Sequence, residues 1–279
     1  MIIVTKEIIE KEGLTEEIVK SMIEMSDEQS PEWLFLYENL TDDEFIKYSK
    51  IESIIMKRKT DLEYSKMTQR EIEEKHLRGF QYAAHHAGGL TFGEELLLKA
   101  NERENEKFTF FWATKSPFSQ WYKCNFMGER IFRTPDYLEN FEREISFSSA
   151  EQFMMYHKCL LSLDFDAAQE VLSTKDPKKQ KQIGRSIKMT DEILETWEVF
   201  KTSVIYDANS AKFTQNEDLK KMLLATKGTT LVEAAPNDKV WGIGLIEDDS
   251  RAQNRKTWQG KNLLGEILTK IRIDITGEY

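Results

Sequence analysis

The stretch FSSAEQFMMYHKCL, Phe147 to Leu160, sets two serines ahead of a glutamate, two methionines and a lysine at helical spacing. Ser148 and Glu151 stand in the S-x-x-E relation of a capping box, which predicts a helix start with the carboxylate turned back on its own backbone. Glu151, Met154, Met155 and Lys158 fall at i, i+3, i+4 and i+7. The carboxylate and the amine therefore share one face, two turns apart, and can reach one cavity. In the first turn Glu151 meets the positive end of the helix dipole and is expected to stay ionised, which suits a base or an oxocarbenium stabiliser. Lys158 beside methionines is expected to be partly desolvated, which disfavours the ammonium and favours attack on an opened sugar aldehyde. Plainer readings compete: Glu151 as a cap alone, Lys158 as a lysine snorkelling from a core helix.

Outward from this helix the pattern alternates. FTFFWAT and, less clearly, ISFSS and TTLVEAA read as short strands. Helices are expected at about 149–162, 164–173, 177–186, 190–209, 215–225 and 262–273. The first hundred residues read as helices alone: TEEIVKSMIEM, DDEFIKYSKIESIIMKRKTDLEYSKM and TQREIEEKHLRGFQYAAHHA carry apolar residues at three and four spacing, with Thr15, Thr41 and Thr68 as N-caps. AGGLTFGEELLLKA adds a glycine break and a short helix, and the charged run Asn101–Lys107 reads as a connector. The fold class expected is α+β and mainly helical, with a small β-sheet in residues 107–279 and an all-helical region, 1–106, before it.

Composition supports that division. Five of the six tryptophans and four of the five prolines follow residue 107, whereas the whole net charge of −10 falls in residues 1–106. Such an acidic segment repels a phosphate backbone and argues against a generic electrostatic grip on nucleic acid. The near-neutral remainder can still bind one nucleotide in a local pocket. At 279 residues, 40% apolar and 32% charged, the chain is expected to fold and is long enough to be an enzyme. Neither a signal peptide nor a membrane span is read from it. Two cysteines, Cys124 and Cys159, without ligand spacing indicate neither a disulfide framework nor a zinc site, so a reducing cytoplasm is the expected location.

Three further stretches hold candidate binding residues. KSPFSQWY places Phe118 in a turn beside Ser119, Trp121 and Tyr122, suited to stacking on a base or simply to packing. Ile193, Trp197, Phe200 and Val204 form an apolar helical stripe that core packing largely explains. In NDKVWGIGLIEDDSRAQNRKTWQGKNLLG, Gly242 and Gly244 permit close backbone approach to a ligand, and Asn262 opens a helix whose amides favour phosphate. The spacing matches neither a Rossmann fingerprint nor a Walker loop, and Asp248 and Asp249 alternatively cap a turn. His85 and His86 are adjacent and point apart on a helix, a poor start for a metal site. His157 lies one residue off the Glu151 face.

In order along the chain, SPFSQWY, FSSAEQFMMYHK, FTQNEDLKKMLLAT, LVEAAPNDKVWGIGL and WQGKNLLGEILTKIR resemble the successive motifs of the NADAR superfamily, which includes the YbiA-like N-glycosidases. The resemblance spans about residues 108–274. It implies a compact, mainly helical α+β domain that cleaves N-glycosidic bonds, either of ribosylated pyrimidine intermediates of riboflavin synthesis or between ADP-ribose and guanine. It implies Glu151 as the active-site glutamate, Lys158 as the lysine at the ribose, and Trp197 and Trp241 as site-lining aromatics. Other members carry an aspartate where this chain has Ile243, which turns the expectation away from the riboflavin intermediates. The longer WGIGLIEDD resembles the ADP-ribose branch, with Asp248 or Asp249 supplying a carboxylate. Arg185, Lys261 and Asn262 are possible phosphate donors, the two basic ones alternatively being solvated helix residues. No metal and no cofactor are expected.

Three functions compete at this level. The first is a hydrolase that releases ADP-ribose from modified guanine; the second is an N-glycosidase of phosphorylated ribosylamino-pyrimidines; the third is a silent binder of ADP-ribose or nucleotide. Residues 1–106 are expected to serve self-association, a protein partner or a lid.

Overall fold

A computed structural model describes residues 4–27, 35–37, 39–68, 70–72, 74–75, 77–79, 89–129, 131 and 144–279. His85 and His86 lie outside them. Two compact units are present, Met1–Ile72 and Glu73–Tyr279.

The first unit holds α1 (Lys6–Glu12), α2 (Glu16–Asp27) and α3 (Asp42–Tyr64). Their inward residues, among them Ile9, Ile18, Val19, Met22 and Tyr48, form a core of their own together with Val4, which precedes α1. Thr41 and Glu44 complete a reciprocal capping box at the start of α3, the Glu44 amide reaching Thr41 Oγ1 at 3.3 Å and the Thr41 amide reaching Glu44 Oε2 at 2.8 Å. Those bonds favour the ionised carboxylate and hold Glu44 below its ordinary range. Thr15 and Thr68 accept from Ile18 N and Glu71 N in the same way, as their positions predict.

The second unit runs α4 (Phe92–Asn101), β1 (Phe108–Phe111), β2 (Phe126–Glu129), β3 (Glu144–Phe147), α5 (Ala150–Leu161), α6 (Phe165–Ser173), α7 (Pro177–Ser186), α8 (Asp191–Gln215), α9 (Glu217–Leu224), β4 (Thr230–Glu233) and α10 (Leu263–Thr276). Two short 3-10 turns, Ser250–Gln253 and Arg255–Thr257, precede α10. Among the described residues the β component is two two-stranded sheets: β1 beside β4 in parallel, Phe108 opposite Thr230, and β2 beside β3 antiparallel, Phe126 opposite Phe147. A mainly helical α+β fold is thus as expected.

β2 escapes the sequence patterns because only Phe126 and Gly128 face inward, and Gly128 offers no side chain to the alternation. A Cβ there would lie 2.5 Å from the Phe153 ring, so glycine is what lets β2 close on α5. Helix α8 runs past its expected end near residue 209, since Asn209 turns its amide onto Ile205 O at 2.8 Å instead of breaking the helix. Helix α5 packs against α6, α7 and α8, and every residue in it except Lys158 is buried. A helix buried on nearly every side marks the centre of a core.

The second unit begins well before residue 107. Leu96 and Ala100 of α4 enter the main core, and α4 packs on α8 and α10. Nor is the charged run after α4 a free connector. Arg103 reaches the fully buried Glu266 at 2.7 Å, and Arg255 bridges Glu266 at 2.8 Å and Glu106 at 2.6 Å. Charges withdrawn from water are tolerated when each meets an opposite partner, as these do.

Candidate active site

Both parallel strands deliver side chains from their carboxyl ends, the end at which open α/β sheets bind ligands. Trp112 follows β1 and Glu233 closes β4; both border a cavity of about 840 Å³. Glu151, Met154, Met155 and Lys158 enter it from α5, Lys181 and Arg185 from α7, and Trp197 and Lys201 from α8. Ser119, Gln120 and Trp121 come from the aromatic turn; Asp238 and Trp241 come from the loop after β4.

The helix start differs from the expected capping box by one residue. Ser149, not Ser148, is the N-cap: its Oγ accepts from Gln152 N at 3.0 Å and donates to Gln180 at 2.8 Å. Gln152 in turn accepts from Ser148 N at 2.7 Å. Glu151 therefore sits at the second helical position with no capping duty, and its amide donates to Gln120 O at 3.0 Å. Its side chain is buried, 2% exposed, and Oε1 has no hydrogen-bond partner among the described residues.

Burial overrides the helix dipole at this carboxylate. Desolvation pushes Glu151 up to about 7, with Lys181, Trp121 and Arg185 pulling it down and Asp238 adding to the rise. It is thus poised near neutrality rather than firmly ionised. Lys158 is half-buried, donates to Gly184 O at 3.0 Å, and has its ammonium disfavoured chiefly by desolvation. The expectation of a desolvated lysine on the Glu151 face is met in the geometry.

The aromatic turn is fixed from two sides. Besides the Gln120 bond to α5, the fully buried Lys212 donates to Ser119 O at 2.9 Å, and desolvation lowers Lys212 to about 8. Phe118 does not line the cavity; it packs against Phe111 and Phe213 and anchors the turn from within the core. In the loop after β4, Asp238 Oδ1 accepts from Val240 N and Trp241 N at 2.9 and 2.8 Å, which aims Trp241.

Several sequence candidates lie apart from the cavity. Gly242 is needed because a Cβ would stand 2.8 Å from Glu233 O, and Gly244 because its φ is +70°. Both shape the loop rather than border the site. Asn262 adopts a left-handed conformation and is fully buried, accepting from Glu233 N at 2.9 Å and donating to Leu231 O at 2.9 Å. It braces β4 and offers nothing to a phosphate. Asp248 is exposed and outside the cavity lining. Asp249 caps a 3-10 turn and chelates Arg251, which holds it down to about 2. Ile243 is fully buried with Val232, Leu245 and Ala252. His157 is buried against Phe153. Among the described residues no group of three or more His, Cys, Asp or Glu side chains is placed to share a metal ion.

Sequence reasoning missed Trp112, Gln120, Lys181, Lys201, Glu233 and Asp238. Spacing on α7 held a signal, since Lys181 stands one turn from Arg185. Glu233, the terminal residue of a strand, has no periodic signature.

A carboxylate facing an aromatic, cation-bordered cavity is the equipment of a glycoside-cleaving enzyme, where it meets the positive sugar of the transition state. A NADAR domain matches residues 110–276, more than half of the chain, and the chain belongs to that family. Protein irg-1 of Caenorhabditis elegans is 37% identical over 175 residues, 63% of this chain and 82% of that protein. N-glycosidase R617 of Acanthamoeba polyphaga mimivirus is 38% identical over 175 residues, 61% of this chain and 96% of that protein. The NMR structure of the E. coli protein YbiA matches with a TM-score of 0.45 at 24% identity, over 62% of this chain and 87% of that one. The enzyme class is that of the N-glycosidases.

Proposed function

We propose that this chain hydrolyses the N-glycosidic bond between ADP-ribose and guanine. The observation that carries the reading is the Glu151 carboxylate, buried and with Oε1 unpaired among the described residues, in a cavity that Lys158 of the same helix also enters and whose other walls supply Lys181, Arg185 and Lys201 along with four tryptophans. Its volume suits a dinucleotide-sized ligand. The tryptophans stack on bases, and the cations on α7 and α8 meet a pyrophosphate. As the bond to the base lengthens, positive charge grows at the anomeric carbon. Ionised Glu151 stabilises that charge and takes a proton from the attacking water, while Lys158 holds the sugar hydroxyls. Asp248 has no part in this reading, because it lies away from the cavity.

Wild type is expected to release ADP-ribose from ADP-ribosylated guanosine, and Glu151→Gln to lower kcat by about a thousandfold. Full activity of the variant would remove Glu151 from the chemistry. Turnover of a phosphorylated ribosylamino-pyrimidine alone would reassign the substrate. Tight ADP-ribose binding in calorimetry with no turnover would make the chain a binder.

A further inference from the structure

We infer that Glu233 is a second catalytic carboxyl group, the acid that protonates the departing base. The inference rests on the glycosidase reading and adds to it a residue at the opposite end of the reaction coordinate from Glu151. Purines and pyrimidines leave poorly as anions, so an N-glycosidase gains from a proton donor on the base as well as a carboxylate at the sugar.

The cavity holds few groups able to supply that proton. Glu198 is exposed and ion-paired with Lys201. Asp238 is committed to two backbone amides. Lys158 donates to a carbonyl. Glu151 and Glu233 differ from these: each has one buried carboxyl oxygen without a partner among the described residues, and they enter the same cavity from different elements, α5 and β4. Glu233 is also held in place through its backbone. Its amide donates to Asn262 Oδ1 at 2.9 Å, its carbonyl accepts from Ile243 N at 2.9 Å, and Gly242 leaves room beside that carbonyl. Asn262 and Gly242, expected at the ligand, thus act as positioning residues for Glu233. A functional carboxyl is best carried on such a rigid strand end.

Electrostatics agrees with the assignment. Burial is the main effect, Asp238 from its own loop and Glu151 from α5 add to it, Lys181 from α7 opposes it, and α8 contributes Lys201 already paired with Glu198. The carboxyl is pushed up to about 8, so it is mostly protonated at pH 7, where Glu151 is about half ionised. Two carboxyls whose surroundings separate their proton affinities divide acid and base work between them. In the step, the Glu233 proton passes to a nitrogen of the base as the carbon–nitrogen bond breaks and its electron pair goes to the base. Water adds its oxygen to the anomeric carbon and gives a proton to Glu151. Free base and free sugar are released, and solvent returns the two carboxyls to their starting states.

The test compares full-length wild type, Glu233→Gln and Glu151→Gln on ADP-ribosylated guanosine and on an ADP-ribosyl 4-nitrophenyl glycoside, whose leaving group departs without protonation. Glu233→Gln is expected to lose about a hundredfold or more in kcat on the guanosine substrate but only a few-fold on the nitrophenyl glycoside. Glu151→Gln should lose both. Wild-type kcat should fall as pH rises through about 8, and that alkaline limb should vanish in Glu233→Gln. Equal losses of Glu233→Gln on the two substrates, or survival of the alkaline limb, would overturn the acid role while leaving the glycosidase reading intact. Wild-type turnover of a phosphorylated ribosylamino-pyrimidine instead would overturn the substrate, and the alkaline limb measured there would still decide Glu233. Turnover of no N-glycoside would overturn both.

Discussion

Glu151 shows how a one-residue shift in a cap releases a side chain for chemistry. With Ser149 as N-cap, Gln152 takes the third helical position and the polar contacts that go with it, and the neighbouring carboxylate is left buried and incompletely paired. That arrangement costs stability. Its folded-state affinity, near 7, lies above the ordinary 4.5, so between these values the folded protein binds more protons than the unfolded chain. Stability therefore falls as pH rises through that window, and the loss is complete above pH 7, amounting to about 3 kcal/mol. Glu151→Gln should accordingly melt at a higher temperature than wild type at pH 8, with the advantage gone by pH 4.5. Thermal unfolding of both proteins at the two pH values checks this. An unchanged difference between pH 4.5 and pH 8 would mean that the carboxylate is not desolvated.

At the scale of the element, α5 joins core and site. Its apolar residues pack on α6, α7 and α8, while its first turn donates a backbone bond to the aromatic turn and its last turns bring Lys158 to the cavity edge. The cap holds this start in register. Ser149→Ala would leave Gln152 N and Gln180 Oε1 without a buried partner, at a cost of about 2 kcal/mol in urea unfolding. Ser148→Ala should cost less, because the Ser148 amide keeps its bond to Gln152. A larger loss at Ser148 than at Ser149 would return the cap to the position that the S-x-x-E pattern suggests.

For the whole chain, the position of α4 makes a prediction about where the catalytic unit starts. A chain of residues 73–279 keeps Leu96 and Ala100 in the core and Arg103 on the buried Glu266, whereas residues 107–279 lose all three. The shorter chain should be less stable by about 3 kcal/mol or more, since it uncovers the core that Leu96 and Ala100 close and leaves the buried Glu266 with Arg255 alone. Denaturant midpoints of the two chains measure it; equal midpoints would make α4 an accessory. Charge at this scale is also divided. The net −10 lies in residues 1–106, while the cavity wall gathers Lys158, Lys181, Arg185 and Lys201. Among the described residues no helix is long and apolar enough to cross a membrane.

The sequence by itself determined the helix that carries Glu151 and Lys158, the three threonine caps of the first unit, strands β1, β3 and β4, and the family, because periodicity, capping and ordered motifs are local properties of a chain. It misread what depends on distance through space. Asp248 stands near Trp241 in sequence, yet it is exposed away from the cavity. Glu233 has no local mark and Lys181 only its one-turn spacing from Arg185, and only the tertiary structure brings them to the cavity. The protonation of Glu151 was decided there too: the dipole of its own helix argues for an ionised group, but withdrawal from water is the larger effect, and it exists only once the chain has folded around the carboxylate.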